Sequence, residues 1–71
     1  MRPIKYARQS LGMTQTEFGQ AIGCSKRAVL GFEHGQYAPS FARWQRIYEV
    51  TRRPRGFYFD AKGNMREEVV G

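Results

Sequence analysis

Histidine and cysteine occur once each in the 71 residues, as His34 and Cys24. A structural zinc needs several thiolate or imidazole ligands and an intramolecular disulfide needs two thiols, so neither is expected. Acidic residues are scarce, six against twelve Lys and Arg. With one histidine, and with Glu17 and Glu33 assigned below to capping and pairing, no acid/base constellation can be assembled. The chain reads as a non-enzyme without metal, cofactor or small-molecule substrate. No apolar run approaches the length of a membrane span, and Met1-Arg2-Pro3 leads into an amphipathic pattern without a signal-like stretch, so a cytoplasmic protein is expected. Cys24, at an apolar turn position, reads as core filler in a reducing compartment.

What is present is positive charge. The formal net charge is +6 and the pI about 10.1, which makes a polyanion the leading partner. Charge alone separates DNA neither from RNA nor from plain solubility. At this length the chain is one domain able to bury about 60% of its unfolded surface, too small for a deep cleft. The deciding feature is the stretch from Thr14 to Gly35, where two short helical patterns meet across a glycine.

Thr14 followed three residues later by Glu17 spells a capping box for a helix beginning at Gln15, and Phe18 and Ile22 share one face of it. Gly23 stops that helix, Ser25 caps the next, and Val29 and Phe32 form its apolar stripe before Gly35 ends it. Gly19 suits a steep crossing of the two helices that leaves no room for a larger side chain. This is a helix-turn-helix pattern. From Ile4 to Val50 the chain resembles the XRE-like helix-turn-helix family, which includes the phage Cro and lysogeny repressors. The residues that carry the resemblance are Arg8, the run Leu11–Phe18, the Gly23-Cys24-Ser25 turn, Glu33 with Gly35, and Ala38-Pro39-Ser40. Phe18 stands in place of the usual leucine and Gly19 in place of the usual alanine. Gly31 lies late in the second helix, where a side chain often reaches bases.

The resemblance implies a mainly α, lambda-repressor-like bundle of four helices that binds double-stranded DNA with the second helix of the pair in the major groove. It turns Gln15, Ser25, Lys26, Arg27, Leu30 and Gly31 toward base edges. It puts Thr14, His34, Tyr37, Ser40 and Arg43 near the phosphate backbone, and it pairs Arg8 with Glu33 as a structural tie. Chemistry agrees at several of these positions. Arg27 can bridge guanine O6 and N7, Lys26 can do the same or take a phosphate, and Leu30 suits a thymine methyl. Thr14 and Ser25 divide between capping and contact. Arg43 and Arg46, off the helix 4 stripe, divide between backbone contact and solvation.

Around the motif, Pro3 opens a first helix carrying Ile4, Ala7 and Leu11, and Ser40 caps a fourth with Phe41, Trp44, Ile47 and Tyr48 on one face. The expected core is Ile4, Ala7, Leu11, Phe18, Ile22, Val29, Phe32, Phe41, Trp44 and Ile47. Residues 1–51 form the DNA-binding domain, and residues 52–71 a basic linker and β-rich extension. Many members of the family it resembles carry a fifth helix there, but Phe57-Tyr58-Phe59-Asp60 has strand composition. Ala61-Lys62-Gly63 reads as a hairpin loop with glycine left-handed, and Met65 to Val70 can return. Two roles stand for Phe57, Tyr58 and Phe59: a dimerisation strand, or a lid on the chain's own core. The functional expectation is a homodimeric regulator that represses by occupying an operator, of phage or bacterial origin. The rival is an antitoxin-like or antirepressor-like interaction module. RNA binding lacks an RNP-like or KH-like signature.

Overall fold

The computed structural model describes residues 1–69, which form five helices: α1 Pro3–Ser10, α2 Gln15–Ile22, α3 Lys26–His34, α4 Phe41–Thr51 and α5 Arg55–Tyr58. Local chemistry sets the limits of the first four. Pro3 opens α1, where a missing N–H costs nothing. Thr14 Oγ1 accepts from the Glu17 amide at 3.1 Å while Glu17 Oε1 accepts from the Thr14 amide at 2.8 Å, a complete capping box for α2. Gly23, at φ +80°, ends α2 in the left-handed conformation that side chains resist. Ser25 and Ser40 cap α3 and α4 through their hydroxyl oxygens, which accept from the Ala28 and Arg43 amides.

α2 packs against both α3 and α4, and α1 against α3 and α5. A β-carbon at Gly19 would stand 2.6 Å from the Cys24 carbonyl oxygen, so the absence of a side chain there is what lets the turn fold tightly over α2. The buried cluster holds Ile4, Ala7, Phe18, Ile22, Val29, Phe32, Trp44, Ile47 and Tyr58, with Cys24 half-buried against it. Two expected core residues lie outside. Leu11 is 43% exposed and Phe41 81% exposed. Each sits at a helix end, Leu11 at the C-cap of α1 and Phe41 at the first position of α4, where the stripe runs past the neighbouring elements.

The extension departs from the expected hairpin. α4 stops at Thr51 with Arg52 in the left-handed region (φ 55°), Pro54 precedes α5, and Phe57 and Tyr58 are helical. Tyr58 has no exposed surface. Its ring packs 5.1 Å from Trp44, and its hydroxyl lies 2.6 Å from Thr51 Oγ1, which donates to the Ile47 carbonyl. Burying that ring favours one helical turn over a strand that would hold it on a two-stranded ribbon. Only Phe59 is extended, and it forms one antiparallel bridge with Met65. The turn between them keeps the expected left-handed glycine, Gly63 at φ +83°, with Asp60 Oδ1 accepting from the Lys62 and Asn64 amides. The expected return strand reached Val70, which lies outside the described residues.

Candidate nucleic-acid interface

With Val29, Phe32 and Glu33 turned inward, α3 exposes Lys26, Arg27 and His34, keeps Leu30 half-buried, and is preceded by the exposed Ser25. Lys26 and Arg27 occupy the first two helical positions, and the first turn contains no acidic residue. Cations there oppose the helix dipole at about 0.3–1 kcal/mol each. No carboxylate is within ion-pair distance of either among the described residues. The turn therefore presents positive charge and amide donors together, and an external anion offsets both.

Gly31 is buried, unlike the base-reading position expected for it, because the ring of Tyr37 covers it. Tyr37 Oη donates to the Arg27 carbonyl at 3.1 Å.

Glu33 fixes the angle of α3. Arg8 Nε donates to its Oε2 at 2.6 Å and Arg8 Nη2 to its Oε1 at 3.2 Å. The two side chains are only 10% and 1% exposed. Arg8 Nη1 continues to the Met13 carbonyl at 2.9 Å, and Gln15 Nε2 donates to Glu33 Oε1 at 3.2 Å. One carboxylate thus gathers α1, the start of α2 and α3. Gln15 is half-buried in this arrangement, with its amide nitrogen held and its carbonyl oxygen left to accept.

Thr14, Ser25 and Ser40 use their hydroxyl oxygens as acceptors, so each keeps an O–H to donate. The box bonds from Thr14, its backbone amide foremost, hold the Glu17 carboxyl below the usual range, so Glu17 stays ionised as a cap. Arg43 reaches across to α2 and gives Nη1 to the Ile22 carbonyl, and Arg46 Nη2 donates to the Ala21 carbonyl at 3.1 Å. Helical periodicity marked both as off the stripe without disclosing that they cap α2. Burial pushes the Cys24 thiol up, against the opposing charge of Arg43. Of the three residues expected at a dimer contact, Tyr58 is enclosed in its own core, while Phe57 and Phe59 are half-buried against it. Arg53 lies 4.4 Å from the Phe57 ring and 5.4 Å from the Tyr6 ring, and Arg55 lies 4.3 Å from the Phe59 ring.

A second surface feature stands apart from α3. Phe41, Trp44, Gln45, Tyr48, Arg55 and Phe59 line an open cavity of about 200 Å³. No helix among the described residues is long and apolar enough to cross a membrane.

The helix-turn-helix family pattern matches residues 4–56. An uncharacterized HTH-type transcriptional regulator of Methanothermobacter thermautotrophicus is 34% identical over 50 residues, covering 70% of this chain and 72% of the relative. No solved structure matches at comparable stringency.

Proposed function

Because the chain belongs to the XRE-like helix-turn-helix family, we propose that it binds double-stranded DNA sequence-specifically and regulates transcription, repressing as a homodimer by occupying an operator. The observation that carries this reading is the cationic first turn of α3, Lys26 and Arg27, which meets no carboxylate among the described residues, on a helix whose angle is set by a buried carboxylate. That charge works against the helix it belongs to. Such local conflicts are expected where function rather than folding chooses the residue.

In this reading Arg27 meets a guanine edge, Lys26 a guanine or a phosphate, Leu30 a thymine methyl, and Ser25 and the Gln15 oxygen neighbouring base edges. Thr14 and Ser40 donate their remaining O–H to phosphates on either side, and His34 meets the backbone at the far end of α3. Arg43 contributes positive potential from α4, with its guanidinium against the C-terminal end of α2. One such domain covers little DNA, so two copies reading half-sites about 34–36 Å apart are proposed. Exposure of Phe41 beside Phe59 supports a self-association face on α4 and α5 in place of a strand pairing through Tyr58. The same face supports the second reading, an antitoxin-like or antirepressor-like module whose partner is a different protein.

Selection of bound duplexes from a random pool tests the proposal. Enrichment of a two-fold symmetric sequence is the expected result. Binding that enriches nothing and falls steeply with salt favours the interaction module. For assembly, Phe41→Ser is expected to turn a sedimenting dimer into a monomer while the helical signal is unchanged; a dimer that survives places the contact elsewhere.

A further inference from the structure

The loop after α3 folds back onto the helix it leaves. A β-carbon at Gly31 would stand 2.2 Å from Tyr37 Cζ and 2.5 Å from its Oη, so the ring occupies the space where a side chain at position 31 would begin. Two contacts hold it there. Oη donates to the Arg27 carbonyl at 3.1 Å, and the ring meets Phe32 edge-on with centroids 5.7 Å apart. At about 100° per residue, Gly31 lies about 40° round α3 from Arg27 and about 160° from the inward Val29. The ring therefore sits beside the side chain assigned to guanine, and Tyr37 as a whole remains 48% exposed.

We propose that Tyr37 supplies from the loop the side chain that Gly31 lacks, and that its ring is a specificity-determining surface selecting a thymine next to the base pair met by Arg27. The inference rests on the DNA-binding reading above. A phosphate contact, the role the family resemblance assigns to Tyr37, needs the hydroxyl as donor, but that proton is committed to the Arg27 carbonyl. Oη would then turn only lone pairs toward a phosphate. What Tyr37 offers outward is apolar ring, and the apolar group exposed in the major groove is the thymine methyl. Seating the ring on the helix backbone also fixes it before DNA arrives, so little freedom is lost when a methyl packs against it.

Selection from a random duplex pool with the wild type, Tyr37→Ala, Tyr37→Phe and Gly31→Ala tests this, with a thermal melt of each. The wild type is expected to enrich a T·A pair beside the Arg27 guanine. Tyr37→Ala should weaken that thymine preference about five- to tenfold while the other positions keep theirs. Tyr37→Phe should retain it, and Gly31→Ala, which pushes the ring from its seat, should lose it as Tyr37→Ala does. Replacing the thymine by deoxyuridine removes only the methyl. It should weaken wild-type binding and leave Tyr37→Ala unchanged, and its wild-type arm needs no variant to fold. Unaltered wild-type affinity for the uridine duplex, or a Tyr37→Ala loss spread evenly over all positions, overturns the proposal while DNA binding stands. A wild type that enriches no sequence overturns both.

Discussion

Removing the Glu33 carboxylate strands a guanidinium. In Glu33→Ala, Arg8 loses partners at 2.6 and 3.2 Å, and Gln15 loses its acceptor. Breaking a buried ion pair from one side costs about 3–5 kcal/mol, most of it the penalty of an unpaired buried charge. Arg8 retains the Met13 carbonyl at 2.9 Å, and its side chain is 10% rather than 1% exposed, so it can recover some water. The expected loss is therefore about 3 kcal/mol, the lower end of that range. For a domain of this size total stability is roughly 4–10 kcal/mol, and the melting temperature falls about 4–8 °C per kcal/mol. Glu33→Ala should melt roughly 12–24 °C below the wild type. Urea unfolding followed by far-UV circular dichroism, on both single variants and Arg8→Ala/Glu33→Ala, gives the decisive comparison. The double variant has no stranded charge and should cost little more than Glu33→Ala alone, a coupling of about 2–3 kcal/mol. Strictly additive losses would refute the argument, because they would mean that neither group depends on the other.

Arg27→Ala should lose about 1–3 kcal/mol on the selected duplex and little on random DNA, measured by fluorescence anisotropy; equal losses on both make Arg27 a phosphate contact. Burial raises the Tyr58 hydroxyl above its ordinary value, so its contribution to stability is intact below about pH 10 and lost as pH rises through the folded value. Tyr58→Phe should cost about 1 kcal/mol at neutral pH for the bond to Thr51 and remove that alkaline loss, as urea unfolding at a series of pH values will read. Arg52 holds φ 55° at the end of α4, so Arg52→Gly should raise stability by up to about 1 kcal/mol in the same assay.

The limits of α2 and α3 and the start of α4 were legible in the sequence because each is set within a few residues: Thr14 with Glu17, Gly23, Ser25, Gly35 and Ser40 act on their own turns. Inward faces followed from periodicity, but periodicity does not say what covers the end of a stripe. Leu11 and Phe41 failed for that reason. Tyr58 was read as a strand residue because its helical turn depends on contacts with Trp44 and Thr51, a partnership no local pattern carries. The exposure of Lys26 and Arg27 followed from periodicity, and among the described residues neither charge meets a carboxylate. At Gly31 the sequence showed a missing side chain but not the loop tyrosine seated on it. Arg43 and Arg46 looked like spare cations until their carbonyl partners on α2 were seen.

The docking of α5 on α1 also sets an order of events in folding. α2 and α3 are neighbours in sequence and touch across a short turn, so they can pair early, while α1 and α5 meet only after nearly the whole chain between them has closed. The clasp of Tyr6, Arg53 and Phe57 is then expected to form after the folding transition state. Contacts made after that barrier act on the rate of unfolding and leave the rate of folding almost unchanged. The chain should fold at the pace of its helix-turn-helix, while the lifetime of the folded molecule is governed by the four residues of α5, on the side where Tyr6, Arg53 and Phe57 meet.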